Sequence, residues 1–540
     1  MLLICQELGA RRDFTTLYHC ALLSRRVASI AVEQLYSILE IMDQFIEGGR
    51  RAARLWRSII LSSREATLYP YCAYTRYLSL GSLVECLDDL RLDPSLHDFF
   101  FDGLMQDFLV LQAKATRSRP PPYDIPNIVS KCTDSITQCI QALVSVNGTA
   151  VALTHLETPI LPRDDLLNSI SRLSSLTSLQ LQDGSVLGAE AAGVLVTYCP
   201  NFAELTCLHC SGKTAAVDMA TFFLVLHPNS LQRFEVFSQN TLDGNTLYTL
   251  NTHAKSLRVL HLRSLLFPAI SQIHLLSDCT ALESLIIERE PTDRSRLDAF
   301  SLVELEQVAK WISSCKALRT LSFNHVRDAL PIVRQVLQAP EIRLFQLHIQ
   351  DYQSVSEEIV TATWSALGQQ DSLESLTIAS QDSSPDGLVL AQHPELTDSI
   401  CRLSNLVTLN LMQASVSSAE ICRIAKALRC LEELSFGGDP VDNSILEHLS
   451  KLPKLVLLSI NAVTTFTFEN LRDFVQSLDP VGNRGIKVDL LNQWYEVKLT
   501  EYEETRLNQD FFADYLNGRI AINYPNDPDE LHEADFSDSD

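Results

Sequence analysis

Apolar residues recur along most of this chain at relative positions one, four and six of short segments. These read "LTSLQL" from Leu176, "LTCLHC" from Leu205, "LQRFEV" from Leu231, "LRVLHL" from Leu257, "LESLII" from Leu282 and "LRTLSF" from Leu318. They continue as "LFQLHI" from Leu344, "LESLTI" from Leu373, "LVTLNL" from Leu406, "LEELSF" from Leu431 and "LVLLSI" from Leu455. The alternation at positions four and six predicts a short strand with one buried face. Between the strands, "AEAAGVLVTY" (Ala189 to Tyr198) and "SLVELEQVAKWI" (Ser301 to Ile312) carry helical spacing. "YLSL" near Tyr77 and "VALTHLET" near Val151 read as weaker early members of the series.

Eleven copies whose starts lie 24 to 36 residues apart resemble leucine-rich repeats through their L-x-x-L-x-L core. The asparagine expected a few residues later is mostly missing, which fits the irregular, helix-backed subtype. One unit offers three or four large anchors, each worth about 1.5–3 kcal/mol when buried. Ordering some 25 residues costs roughly 1–2 kcal/mol apiece, so a lone unit loses and the units must stack. The expected fold is α/β: a leucine-rich-repeat solenoid, or horseshoe, with a concave parallel sheet and outer helices over residues 151–490. Residues 491–524 are expected to cap it, and 525–540 to form a disordered acidic tail, since Asn526 to Asp540 hold seven acids and no Lys or Arg. The segments Glu288 to Phe300 and Ser380 to Asp398 carry the longer intervals as polar, Pro-containing loops, either tolerated insertions or partner contacts.

Composition narrows the function. The chain has 43 basic against 67 acidic residues, a net of −24, and so repels polyphosphate backbones; no nucleic-acid partner is expected. No apolar run is long enough for a membrane helix, and "MLLIC" lacks the basic start and long apolar stretch of a secretion signal. Fourteen cysteines without a tight, even spacing fit a reducing compartment. A cytoplasmic or nuclear protein with a protein partner is the reading. "GGRRAARLWR" (Gly48 to Arg57) is read as a helix joining the chain's start to the solenoid, against a nuclear signal.

No catalytic constellation stands out, and no cofactor is implied. "SGKT" (Ser211 to Thr214) has Cys207 where a phosphate-binding loop needs its first glycine. "CLHC" resembles half a zinc site, but strand alternation should send Cys207 and His209 to one side and Cys210 to the other. Cys199, Cys279 and Cys315 recur at a helix-to-strand junction and read as small packed side chains. His209, His261 and His348 share one relative position and read as part of a binding face. The third, fifth and seventh strand positions should face the concave side. The charged and aromatic group there, His209, Arg233, Glu235, Phe237, His261, Arg263 and Glu288, is the candidate contact with a protein substrate, against a merely solvated strand face.

The first 45 residues predict three short helices: one around Leu2, Leu3, Ile4 and Leu8, a turn at Gly9 to Asp13, a second from Phe14 to Leu23, and a third capped by Ser24. This order, with the junction "LLSRRVA" (Leu22 to Ala28), resembles an F-box. The segment from Arg51 to Leu80 is similar to the connection in fungal F-box/leucine-rich-repeat proteins; 46–150 is read as a helical connector with an irregular first repeat. The resemblance implies a substrate receptor: the F-box docks on the Skp-family adaptor of a cullin-based ubiquitin ligase, and the repeats hold the substrate. By position it implies adaptor contacts at Leu2, Leu3, Ile4, Leu8, Leu17, Leu22, Leu23, Ser24 and Val27. No Leu-Pro pair opens the pattern here, which implies an earlier start or weakened adaptor binding. Read from the residues alone, the same helices cap the solenoid's N-terminal end.

Overall fold

The computed structural model describes all residues except 39–48, 113–121, 148–152, 293–299, 353–355, 380–387, 493–497 and 525–540. The acidic tail and most of both long polar loops therefore lie outside the described residues. The chain divides into two compact units, Met1–Leu257 and Arg258–Asp540.

The first unit opens with α1 (Leu2–Ala10), α2 (Phe14–Ala21) and α3 (Arg25–Ile38). Asp13 caps α2 by accepting from the Thr16 amide at 2.9 Å, and Ser24 Oγ accepts from the Val27 amide at 3.3 Å to begin α3. Arg25 and Arg26 thus lie in the first turn of a new helix. Their three-helix core is small: Cys5, Leu17 and Ala31 are buried, with Leu8, Cys20, Ala21, Ile30 and Leu35 packed around them. The basic stretch forms α4 (Gly49–Ser62), whose inner side buries Ala53, Trp56, Ile59 and Ile60 while its arginines point outward or make side contacts.

Five parallel strands follow in chain order: β1 (Tyr77–Ser79), β2 (His155–Thr158), β3 (Ser178–Asp183), β4 (Glu204–Cys210) and β5 (Arg233–Asn240). Both weak early members are therefore strands. Three further helices, Leu80–Leu92, Pro94–Phe101 and Ile125–Asn147, separate the first two. Parallel strands need a crossover, and the backing helices Arg163–Ile170, Ala189–Tyr198 and Ala215–Val225 supply it.

The second unit repeats this plan with β6 (Val259–Leu265), β7 (Ser284–Arg289), β8 (Thr320–Asn324), β9 (Gln346–Gln350) and β10 (Ser375–Ala379). After the short β11 (Leu388–Val389), which pairs with the end of the next strand, come β12 (Thr408–Ser415), β13 (Glu433–Val441), β14 (Leu457–Thr464), β15 (Lys487–Asn492) and β16 (Arg519–Asn523). Residues 491–524 thus contribute one more parallel strand, with Ile520 set beside Val488. Each repeat buries its position-four and position-six residues, as Leu260 with Leu262, Leu347 with Ile349 and Leu409 with Leu411 all show no or almost no exposure. The fold is an α/β leucine-rich-repeat solenoid.

One frame differs from the sequence reading. Leu205 pairs with Leu179 and Phe234, both position-four residues, so the second copy starts at Phe202 ("FAELTC") and not at Leu205. Cys207 is then its position six and fully buried, while Leu208 is exposed. The register slips between His209 and Cys210, and this returns Cys210 to the interior beside Cys207. The two cysteines do not point to opposite sides. They flank Gly184, where an added Cβ would sit 2.8 Å from the Cys207 sulfur.

Candidate functional site

Two surfaces stand apart from ordinary packing. The first is on the N-terminal helices. Leu2, Leu3 and Ile4 at the start of α1 are 50%, 79% and 53% exposed, and Leu22 and Leu23 between α2 and α3 are 66% and 68% exposed. Ser24 is exposed and occupied as a helix cap; Val27 and Leu8 are half-buried. Leu17 is wholly buried in the three-helix core and offers no surface to a partner, because it holds α2 against its neighbours. Farther along the chain, Tyr36 of α3 packs on Tyr71 with ring centres 4.6 Å apart and bonds Ser58 Oγ at 2.7 Å. The helices are thus anchored to their unit through α3, leaving the α1 start and the α2–α3 junction uncovered. Burial pushes the Tyr36 hydroxyl up to about 12, keeping it neutral in that bond.

The second surface is the open face of the strands in each unit. In the first unit, Arg233 and Glu235 lie on β5, and Arg233 Nη1 donates to Glu235 Oε1 at 3.1 Å. Glu235 is only 8% exposed and also accepts from Thr206 Oγ1 at 3.4 Å, so this pair is largely neutralised within the chain. Phe237 is half-buried on the same strand. His209 does not join that row. With the copy starting at Phe202, the residue equivalent to His261 and His348 is Thr206, and His209 lies beyond, near the strand's end, with Nδ1 3.5 Å from Asp183 Oδ1.

In the second unit the register sets His261, Ile286, Ser322, His348 and Thr377 side by side in one row. His261 Nε2 is 2.8 Å from Ser284 Oγ, and Asn324 Nδ2 donates to Glu288 Oε2 at 3.3 Å. Arg263, Ser322, Asn324, Gln346, His348 and Thr377 belong to the wall of a cleft of about 370 Å³. Burial holds His348 below the usual histidine range, so at neutral pH its ring is uncharged and Nε2 faces Gln350 Oε1 at 3.4 Å. The cleft is therefore a strip of neutral donors and acceptors with one guanidinium at its side, suited to hydrogen-bonding a polar chain. Asn324, Gln346 and Gln350 were not among the predicted contacts; carrying the third, fifth and seventh positions through every repeat would have found them.

Cys199, Cys279 and Cys315 sit at the junctions, buried, with Cys199 Sγ directed at the Leu173 carbonyl at 3.3 Å and Cys315 Sγ at the Cys279 carbonyl at 3.6 Å. Burial raises each thiol to about 12, the state of a packed, unreactive side chain. Among the described residues no three His, Cys, Asp or Glu side chains are grouped to hold a metal ion, and no helix is long and apolar enough to cross a membrane.

No protein-family profile matches the sequence, and no curated relative matches it. Solved structures resemble it more broadly. The yeast Rad7 and Elc1 complex is 16% identical, over 61% of this chain and 83% of that one, with a TM-score of 0.39. A leucine-rich-repeat protein of Leptospira interrogans is 15% identical over 72% and 92%, with a TM-score of 0.35. An internalin from Listeria monocytogenes is 14% identical over 64% and 93%, with a TM-score of 0.34.

Proposed function

We propose that this chain is a non-catalytic substrate-recognition subunit of a Skp–cullin–F-box ubiquitin ligase. In this reading the N-terminal helices bind the Skp-family adaptor and the open sheet face holds a protein substrate. The observation that carries it is the set of five large apolar side chains, Leu2, Leu3, Ile4, Leu22 and Leu23, left in solvent around a core of three buried residues. A helix trio this small buries too little apolar area to be stable alone, and uncovered leucines of this kind mark a contact surface. The neutral polar cleft on the second unit supplies the guest's hydrogen bonds, and the ligase would supply the chemistry.

The competing reading, a repeat scaffold whose N-terminal helices serve only as a cap, draws on the Tyr36–Tyr71 contact. A binding measurement with purified Skp adaptor separates the two. Wild type should bind, and Leu22→Asp with Leu23→Asp should abolish binding while leaving the thermal transition in place. Leu17→Ala should instead destabilise the helices themselves by about 2–5 kcal/mol. Failure of the wild-type chain to bind would eliminate the ligase role.

A further inference from the structure

Cys72 and Cys139 come from distant parts of the first unit. Cys72 lies in the one-turn helix Tyr71–Tyr74, and Cys139 in the long helix Ile125–Asn147. The fold sets their sulfurs 3.7 Å apart across 67 residues of chain. Cys72 is 1% exposed, and its backbone N–H donates to Ser62 Oγ at 2.9 Å, which fixes the short helix against α4. Cys139 is half-buried and contributes to the wall of a cavity of about 570 Å³. Glu65 and Arg64 line its polar side, and Ser63 with Ser135, joined hydroxyl to hydroxyl at 2.7 Å, lines its floor. One sulfur is thus open to a small solute while its partner sits behind it, sealed.

This differs from the junction cysteines, which are all buried, with the Cys199 and Cys315 sulfurs facing backbone carbonyls. We propose that Cys139 and Cys72 form a reversible modification site: a hydroperoxide entering the cavity oxidises Cys139, and Cys72 resolves it to a disulfide. In the first step the Cys139 thiolate attacks the peroxide oxygen, an S–O bond forms, the O–O bond breaks, and the departing oxygen takes a proton to leave as water or an alcohol. In the second step Cys72 loses its proton and attacks the sulfenic sulfur, so that the S–S bond forms and water leaves. The two thiols together lose two electrons and two protons, which the peroxide accepts.

The electrostatics agree with that order of events. The Cys72 thiol, directed at Cys139, lowers the Cys139 pKa, whereas Cys72 itself is raised by that same contact and by burial. Closing the sulfurs from 3.7 Å to a bond length of about 2.05 Å brings together one thiol on a four-residue helix and one on the long helix. Cys132, on the same long helix but fully buried with its thiol raised by burial, is the internal control.

The test uses the full-length reduced protein and hydrogen peroxide near equimolar dose, followed by alkylation under denaturing conditions and peptide mass spectrometry. A linked peptide joining Cys72 to Cys139 is expected, reversed by dithiothreitol, with Cys132 alkylated and unlinked. In Cys72→Ser, a dimedone adduct should accumulate on Cys139 at least about tenfold faster than on Cys132. Should that variant misfold, the wild-type linkage decides alone. Peroxide treatment that oxidises Cys422 or Cys430 while Cys72 and Cys139 stay unlinked overturns the proposal.

Discussion

Leu17 and Leu22 stand five positions apart, carry the same side chain, and have opposite fates: one is sealed in the helix core and the other is 66% exposed. A sequence pattern assigns both to the same adaptor-facing set, and only packing separates the residue that builds the surface from the residue that forms it. A second pair matters at this scale. His325 and Asp351 follow consecutive strands, both with left-handed backbone (φ 58° and 55°), and His325 Nδ1 meets Asp351 Oδ2. That contact raises the His325 pKa against the opposing effect of burial. Because the folded value exceeds the unfolded one, the pair adds stability below the ordinary histidine value of about 6.5, and loses it as pH rises through the folded value. The histidine is partly solvated, so the gain is at most about 1 kcal/mol. Asn tolerates the left-handed backbone, so Asp351→Asn should lower the His325 pKa in an NMR titration and shrink the drop in Tm between about pH 5.5 and about pH 8. An unshifted titration would show that the contact is not formed in solution.

Elements were legible where local chemistry repeats the message of periodicity. Helix Leu302–Ser314 lies where the apolar spacing places one, and the structure adds a capping box at its start, the Glu304 carboxylate accepting from the Ser301 amide at 2.8 Å. The Ser301 hydroxyl and amide hold the Glu304 carboxyl below its usual range. That stabilisation is present above the unfolded carboxyl pKa and fades as pH falls through the depressed one. Ser301→Ala should cost about 0.5–2 kcal/mol, read as a lower Tm by calorimetry, and should weaken the acid-side dependence. A Tm equal to wild type would mean the helix start is held by packing alone. The misframed copy shows where periodicity fails. "FAELTC" and "LTCLHC" both satisfy one-four-six spacing around Leu205, and cysteine is ambiguous between core and surface. Strand pairing with Leu179 and Phe234 breaks the tie, and this removes His209 from the histidine row.

For the molecule as a whole, stability rests on each repeat covering its neighbour, which makes the first and last strands the vulnerable places. Strand β16 covers β15, with Ile520, Leu516 and Phe512 buried at that end of the second unit. Ending the chain at Asn492 should therefore expose the β15 edge with Val488 and Leu490, lower the Tm, and produce concentration-dependent association in sedimentation. A truncated chain that stays monomeric with an unchanged transition would show that β14 and β15 close the unit by themselves. The sequence alone determined the repeat, its strand-and-helix alternation and the three-helix start, because these follow from local apolar spacing and caps that act within a few residues. The tertiary structure alone decided the frame of the second copy, the sealing of Leu17, the neutral cleft around His348, and the meeting of Cys72 with Cys139. Each of those depends on which segments lie side by side, and that is fixed by pairing and packing between residues about 12 to 70 positions apart, beyond the reach of a local pattern.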